Sequence, residues 1–575
     1  MAENNHGLYV PELKVSAWVA ETDPKDAATW LSSLPLANAP EAAREIYQSL
    51  YTLNRQKLPV SVRLKLMALF DEPVSRTAEN LAAGLRSGGM ALNDKKRRLA
   101  DFIRQVRQEM AVGYKIILID ALNARLLMGK QKILATAAQQ AIRYLAEVLQ
   151  SCYQVYVPIP VGIWKELHTL YRIAEQNDFF GQTPEQGLVI EQRYRDAMLL
   201  GLCNPYQLPE GEWRKIAQFI SLWGDVAVIH GNVKVSSVAG QFLVDLDSDR
   251  PPVAYPRGVS VTGTDSLRVL NALPLTATVQ DFVRRFKKGE PGVLNKLGVD
   301  CLHGACLDML RRMRRSWGLA TGRRGDRIRK SGQCFVANSI NAIHFFASGQ
   351  RAFVKPLFAD SHLELSEMAP THDEPASLPE GLDMDIGEPI NSDYLDFDDT
   401  VPTVADKKPR MMAESLLHSS HVYRVETWQI YDESPSGLQL NQKQVDRQQV
   451  RVGDILGVAD GVNQVSWRLG VVRWIKTPEP RNVDIGIEML GGPARPVAIK
   501  KDSGSSDYCQ ALLLPSVPIL KRPATLVTTA GMFEEKASYQ LVDGETGEVR
   551  RITALKLADH SNAFEHFVFA DSSQA

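Results

Sequence analysis

The chain has 575 residues, 44% of them hydrophobic and 23% charged, with 66 Lys and Arg against 67 Asp and Glu. That length is too great for one core and predicts about three or four domains of ordinary globular composition. A net charge of −1 argues against a chain that binds nucleic acid by overall basicity, and no apolar run is long enough to span a membrane as a helix. Met1 to Leu13 is polar, so no secretory leader is expected.

Residues 1–224 read as an α-helical domain. Asp23 and Pro24 form a cap and first-turn proline, and Pro40-Glu41 opens a second helix through Leu50 and Tyr51. Apolar residues then recur at helical spacing at Leu99, Phe102, Ile103, Val106 and Met110, at Ile142, Leu145, Val148 and Leu149, and at Ile163, Leu167, Leu170 and Ile173. Another helix carries Trp213, Ile216, Phe219 and Trp223. The fold class predicted here is a helical array, TPR-like or an irregular bundle, whose apolar stripes are core.

Residues 225–317 read as a small mixed β/α segment. Val226–Ile229, Val233–Val235 and Gln241–Leu246 have strand character, and helices are expected from Leu267 to about Trp317. Cys301-Leu302-His303-Gly304-Ala305-Cys306 holds metal-ligand residue types but lacks a fourth partner nearby, so no metal site is expected. The six cysteines include no Cys-x-x-Cys pair, which suits a reducing cytosol.

Beyond Trp317 the pattern is that of strands. Gln333–Ala337 reads as one, continuing into Ala342–Phe346. From Pro356 to Asp406 there are fourteen Asp and Glu and no Lys or Arg, among Pro, Ser, Thr and Gly. This stretch, 356–406, is predicted to be a disordered acidic insertion, because it cannot bury enough apolar surface to offset the entropy of ordering. Val422–Tyr431 is the next strand, and Asp432-Glu433-Ser434-Pro435-Ser436-Gly437 follows it as an Asp-x-Ser-x-x-Gly turn. A carboxylate, a hydroxyl and a glycine at that spacing make a polar rim able to hold a base edge and a phosphate. Gly453–Val458, Trp467–Trp474 and Asp484–Leu490 complete a small antiparallel barrel. Residues 493–575 form an all-β C-terminal segment with Asp543-Gly544-Glu545-Thr546-Gly547 as a hairpin turn.

The Asp432–Gly437 turn, the Gly470-Val471-Val472-Arg473-Trp474 strand and the Ile485-Gly486-Ile487-Glu488-Met489 strand together resemble the PilZ domain, a bacterial receptor module for cyclic di-GMP. The resemblance covers about residues 318–492. It implies an Arg-x-x-x-Arg segment ahead of the first strand, best matched by Arg323-Arg324-Gly325-Asp326-Arg327. The insertion accounts for the unusual separation of that segment from Asp432. By the resemblance, Arg323 and Arg327 would hold phosphate and guanine, with Arg324 and Arg329 as neighbours able to substitute. Asp432 would accept from guanine N–H groups, Ser434 would bond phosphate or guanine, and Gly437 would let the backbone approach. Arg suits this role because its planar fork pairs with phosphate, reads the guanine O6/N7 edge and stacks on a base.

The resulting expectation is a cytosolic cyclic di-GMP receptor, not an enzyme, without cofactor. It would signal through its helical domain to a protein partner in motility, pili or surface polysaccharide control. Two alternatives compete: a ligand-blind PilZ scaffold, and nucleic-acid binding through the basic stretch Arg311–Lys330. No phosphate loop, nucleophile elbow or paired metal-ligand helix motif points to catalysis.

Overall fold

The computed structural model describes residues 5–14, 20–85, 94–231, 239–254, 265–318, 328–356, 423–443, 450–461, 466–503, 507–518 and 522–571. The N-terminal part is helical: α1 (Pro24–Ser33), α2 (Ala39–Leu53), α3 (Val60–Ala83), α4 (Asp94–Asn123), α5 (Lys130–Gln154), α6 (Ile163–Gln176), α7 (Phe179–Gln182), α8 (Pro184–Leu202) and α9 (Glu212–Trp223). The Asp23 carboxylate accepts from the N–H groups of Lys25 and Asp26, and Pro24 fills the first turn of α1. The long α4–α5 hairpin, of 30 and 25 residues, is the spine against which α2, α3, α6 and α8 pack. Helices this unequal make an irregular bundle rather than a regular repeat.

A four-stranded antiparallel sheet follows, formed by β1 (Val228–His230), β2 (Gln241–Asp245), β3 (Val253–Ala254) and β4 (Leu267–Asn271) in the order β1-β4-β2-β3. Val233–Val235 lies outside the described residues. Leu267–Asn271, expected as the start of a helix, is a central strand; the helix starts later because Pro274 suits a first turn, and α10 runs Leu273–Lys287. Then come α11 (Val293–Leu297) and α12 (His303–Gly318). Phe242, Leu270, Phe282 and Trp317 share one apolar core with Leu118, Leu145 and Phe219 of the bundle. The Trp317 indole N–H donates to the Leu199 carbonyl at 3.0 Å. The mixed segment is therefore fused to the helices rather than standing apart.

Cys301 and Cys306 are joined in a disulfide, with Cα atoms 5.6 Å apart, where the start of α12 folds the chain back on itself. Among the described residues no group of three or more His, Cys, Asp or Glu is placed to hold a metal, and no helix is long and apolar enough to cross a membrane.

Two closed six-stranded barrels make up the rest. The first contains β5 (Ile328–Asn338), β6 (Val425–Ser434), β7 (Gly437–Gln442), β8 (Ile455–Ala459), β9 (Arg468–Lys476) and β10 (Val483–Pro493), in the circular order β10-β7-β6-β5-β8-β9. The second contains β11 (Arg495–Lys501), β12 (Cys509–Leu514), β13 (Thr525–Thr528), β14 (Ser538–Asp543), β15 (Val549–His560) and β16 (Glu565–Asp571), closing as β11-β12-β13-β16-β15-β14. The all-β C-terminal segment is thus a barrel in its own right, and only Ala494 separates it from the first.

Between the barrels lies a helix, α13 (Ile340–Ala347), where a continuing strand was expected at Ala342–Phe346. Ala342–Phe346 is buried throughout, so periodicity could not distinguish helix from strand there. Ser339 decides it: its hydroxyl caps the Ala342 N–H and stops β5. Ile343, Phe345 and Phe346 then join Trp467, Leu469, Leu512 and Val527 in an inter-barrel core. Of the acidic insertion, all but Pro356 lies outside the described residues. The chain re-enters at Tyr423, whose ring meets Phe345 at 5.3 Å, at the opposite end of β6 from Asp432.

Candidate functional site

Strand register brings together the residues that sequence separates. Ile328 pairs with Glu433 and Arg329 with Asp432, although the partners stand 105 and 103 positions apart in the chain. Asp432 pairs in turn with Gln439, Gln439 with Gly486, and Gly486 with Trp474. Paired residues in an antiparallel sheet share a face. Leu438 and Leu440 point into the barrel core, so Gln439 and its row face outward. The result is a band across five strands: a guanidinium, a carboxylate, an amide, a bare glycine and an indole. At ~4.8 Å between strands, its path along the surface is about 19 Å.

Arg329 is exposed and Asp432 and Trp474 are half-buried. A bulge lies between Ile430 and Asp432, leaving Tyr431 59% exposed beside the band. Lys330 holds Glu433 at 2.6 Å, so it neutralises the second carboxylate of the turn. Gly486 leaves room for the Trp474 indole, since a Cβ there would lie 1.8 Å from the indole nitrogen. Gly486 and Trp474 entered the sequence reading only as strand residues of the resemblance and Gln439 in no site role; their register with Asp432 brings them into the band.

The turn itself is tightly built. Ser434 Oγ donates to the Gly437 carbonyl at 3.2 Å, and the Met489 N–H donates to the Ser436 carbonyl at 2.9 Å. Gly437 does not adopt a left-handed backbone. Glycine is required there because a Cβ would come within 2.6 Å of the Ile487 carbonyl oxygen. Its role in the structure is close approach of β7 to β10. Arg323, Arg324 and Arg327 lie outside the described residues, and Arg329 is the described arginine that meets Asp432.

Among the described residues of the basic stretch Arg311–Lys330, the alternative nucleic-acid surface, several side chains are engaged within the protein. Arg311 pairs with Asp308 at 2.9 Å, Arg312 with Glu212, and Arg314 donates to Gln280 at 2.6 Å.

The opposite mouth of the barrel, at the end of β9, is closed by the helical domain. The Tyr156 side chain sits in the barrel core with Trp428, Ile475 and Ile485. The Thr477 N–H donates to the Tyr156 carbonyl at 2.9 Å, and Thr477 Oγ1 to the Val155 carbonyl at 3.1 Å.

A closed barrel with an Asp-x-Ser-x-x-Gly turn opposite an arginine-bearing first strand defines the class: this is a PilZ-domain protein. Three family models match in succession. They are the N-terminal domain of the cyclic-di-GMP receptor FimW over 25–234, its middle PilZ domain over 241–496, and its C-terminal β-barrel domain over 497–572. The chain belongs to that three-domain family. The curated cyclic-di-GMP receptor FimW of Pseudomonas aeruginosa is 27% identical over 567 residues, covering 96% of this chain and 90% of the relative. The middle PilZ match begins at 241, far ahead of the first barrel strand at Ile328, whereas the shared core ties residues of 241–317 to the helical bundle.

Proposed function

We propose that this chain is a cytoplasmic cyclic di-GMP receptor that binds the dinucleotide over the Asp432 turn and passes the signal through its helical domain to a protein partner. Arg323 and Arg327 would take phosphate and guanine, with Arg324 as a neighbouring substitute. Arg329 would add a guanidinium at the strand start, Asp432 would accept from guanine N–H groups, and Ser434 would turn to phosphate or guanine. Two phosphodiester charges call for such guanidinium pairs, and a carboxylate suits the guanine donor edge.

One observation carries this reading: Arg329 and Asp432 are cross-strand partners. Arg327 precedes Arg329 by two positions in the sequence. Calorimetry with cyclic di-GMP on the intact chain and on Arg327→Ala, Arg329→Ala and Asp432→Ala tests it. Saturable heat from the intact chain, lost in Arg327→Ala and Asp432→Ala, is the expected result. No heat from the intact chain would return the barrel to the scaffold reading.

A further inference from the structure

The α5 helix ends in a Schellman motif whose left-handed position is filled by the wrong residue. The Val157 N–H returns to the Cys152 carbonyl at 3.1 Å and the Tyr156 N–H to the Tyr153 carbonyl at 3.4 Å. Tyr156 has φ of +54° there, where glycine is the ordinary choice. A bulky residue in that conformation persists only when its surroundings over-determine it, and such outliers point to function.

The surroundings of Tyr156 belong to two domains. Its ring is 3% exposed inside the first barrel's core. Its hydroxyl donates to the Leu208 carbonyl at 2.6 Å on the helical side. Its carbonyl receives the Thr477 N–H, and Lys476 lies 5.0 Å over the ring of Tyr206. Tyr206 donates back to the Val157 carbonyl at 2.8 Å. Thr477 directly follows β9, and three residues before it on that strand stands Trp474, the last member of the band that begins at Arg329.

We propose that Tyr156 and Thr477 are positioning residues that join the nucleotide band to the helical domain in one linked equilibrium. This rests on the receptor reading above. Nucleotide on the Arg329–Trp474 band fixes β9 against β10, which tightens the Thr477–Tyr156 clasp at the far mouth and orders the α5 end with the segment around Tyr206 and Leu208. By linkage, loosening the clasp must alter nucleotide affinity by the same factor that nucleotide alters the clasp.

Tyr156→Gly is the informative variant. Glycine suits the helix end better than tyrosine, so the bundle is retained while the plug is removed. Tyr156→Phe keeps the ring in the barrel and severs only the bond to Leu208. Hydrogen exchange with and without cyclic di-GMP, on the intact chain, reads the clasp at the Thr477 amide and the relay at 153–157 and 205–208. In the wild type, nucleotide should slow exchange at both places by about tenfold, within the usual range of coupling. In Tyr156→Gly, nucleotide should bind more weakly, by a similar factor, and still protect 432–440, with the response at 153–157 lost. Tyr156→Phe should retain the Thr477 response and lose that at 205–208. A helical response that persists in Tyr156→Gly, or that is missing from nucleotide-bound wild type, overturns the clasp alone. Absence of heat and of any protection at 432–440 in the wild type overturns the receptor reading and the clasp with it.

Discussion

The two barrels share a strand count, closure and an Asp-led turn, yet they use the turn differently. In the second barrel the Asp543 carboxylate accepts from the N–H groups of Glu545 and Thr546 at 2.9 and 3.0 Å. Burial opposes its ionisation, but those backbone donors prevail and hold the carboxyl below the usual carboxylate range. It is a turn that serves its own backbone. In the first barrel Asp432 stands within a band that continues to Arg329 on one side and Trp474 on the other. The cores differ likewise: the second is filled by its own Tyr539, Leu541 and Phe567, whereas the first admits Tyr156 from another domain. Similar turns thus become a brace or, on the receptor reading proposed above, a binding rim according to what the neighbouring strands place beside them.

The comparison can be broken most directly at the two aspartates. Asp432→Ala should weaken cyclic di-GMP binding about a hundredfold or more, the cost of removing one member of a close charged contact. Asp543→Ala should leave affinity unchanged and lower stability by about 1 kcal/mol through its lost turn bonds. Calorimetry and denaturant midpoints on both variants separate the roles. Equal loss of affinity in the two would erase the distinction.

The seam between the barrels should be sensitive to acid. His344 on α13 is buried, which pushes its pKa down to about 4 despite a bond to the Val497 backbone. The folded chain therefore binds fewer protons there than the unfolded chain between about pH 6.5 and 4. Stability should fall as pH drops through that window, by up to about 3 kcal/mol at the acid end. Urea midpoints across pH 7 to 4, for wild type and His344→Gln, would register the loss and its flattening in the variant.

Matched glycines sharpen the comparison further. A Cβ on Gly437 would meet the Ile487 carbonyl oxygen at 2.6 Å, and one on Gly544 would meet that of Pro496 at 2.7 Å. Alanine at either should destabilise its barrel by about 1–3 kcal/mol through overpacking. Only Gly437→Ala should also reduce nucleotide affinity. Thermal melts with and without cyclic di-GMP distinguish the two.

The smallest effect is expected where the second barrel meets α12. His560 hydrogen-bonds Asp308 at 2.7 Å, and that bond, aided by the carboxylate charge, raises the imidazole pKa. The stability it contributes is complete below the ordinary histidine pKa and is lost as pH rises through the elevated one. The His560 side chain is 35% exposed, so solvent screening limits the contact to about 0.5 kcal/mol. A melting temperature that declines slightly from pH 6 to 8.5 in wild type, but not in His560→Gln, is the expected result.

Much of this architecture was legible because it depends on local signals. The cap at Asp23, the apolar periods of α4 to α6 and the turn signals at Gly453 and Gly544 are carried by nearby residues. The Asp432–Gly437 rim was readable from its residue types and spacing. Ala342–Phe346 was misread because a segment buried on all sides has no amphipathic period, and Leu267–Asn271 because it lies between helices. The second barrel was recognised as β-rich, but its closure depends on pairings such as β13 with β16 that leave no mark at either strand.

By itself the chain determined most of the segments that are helix or strand and which residue types could bind an anion or a guanine, because propensity, patterning and side-chain chemistry are local properties. Only the tertiary structure decided that Arg329 faces Asp432, that Trp474 ends the same band, and that a helix-terminal tyrosine fills the opposite mouth. Those facts arise from long-range strand register and from burial shared between domains, which no neighbouring residue encodes.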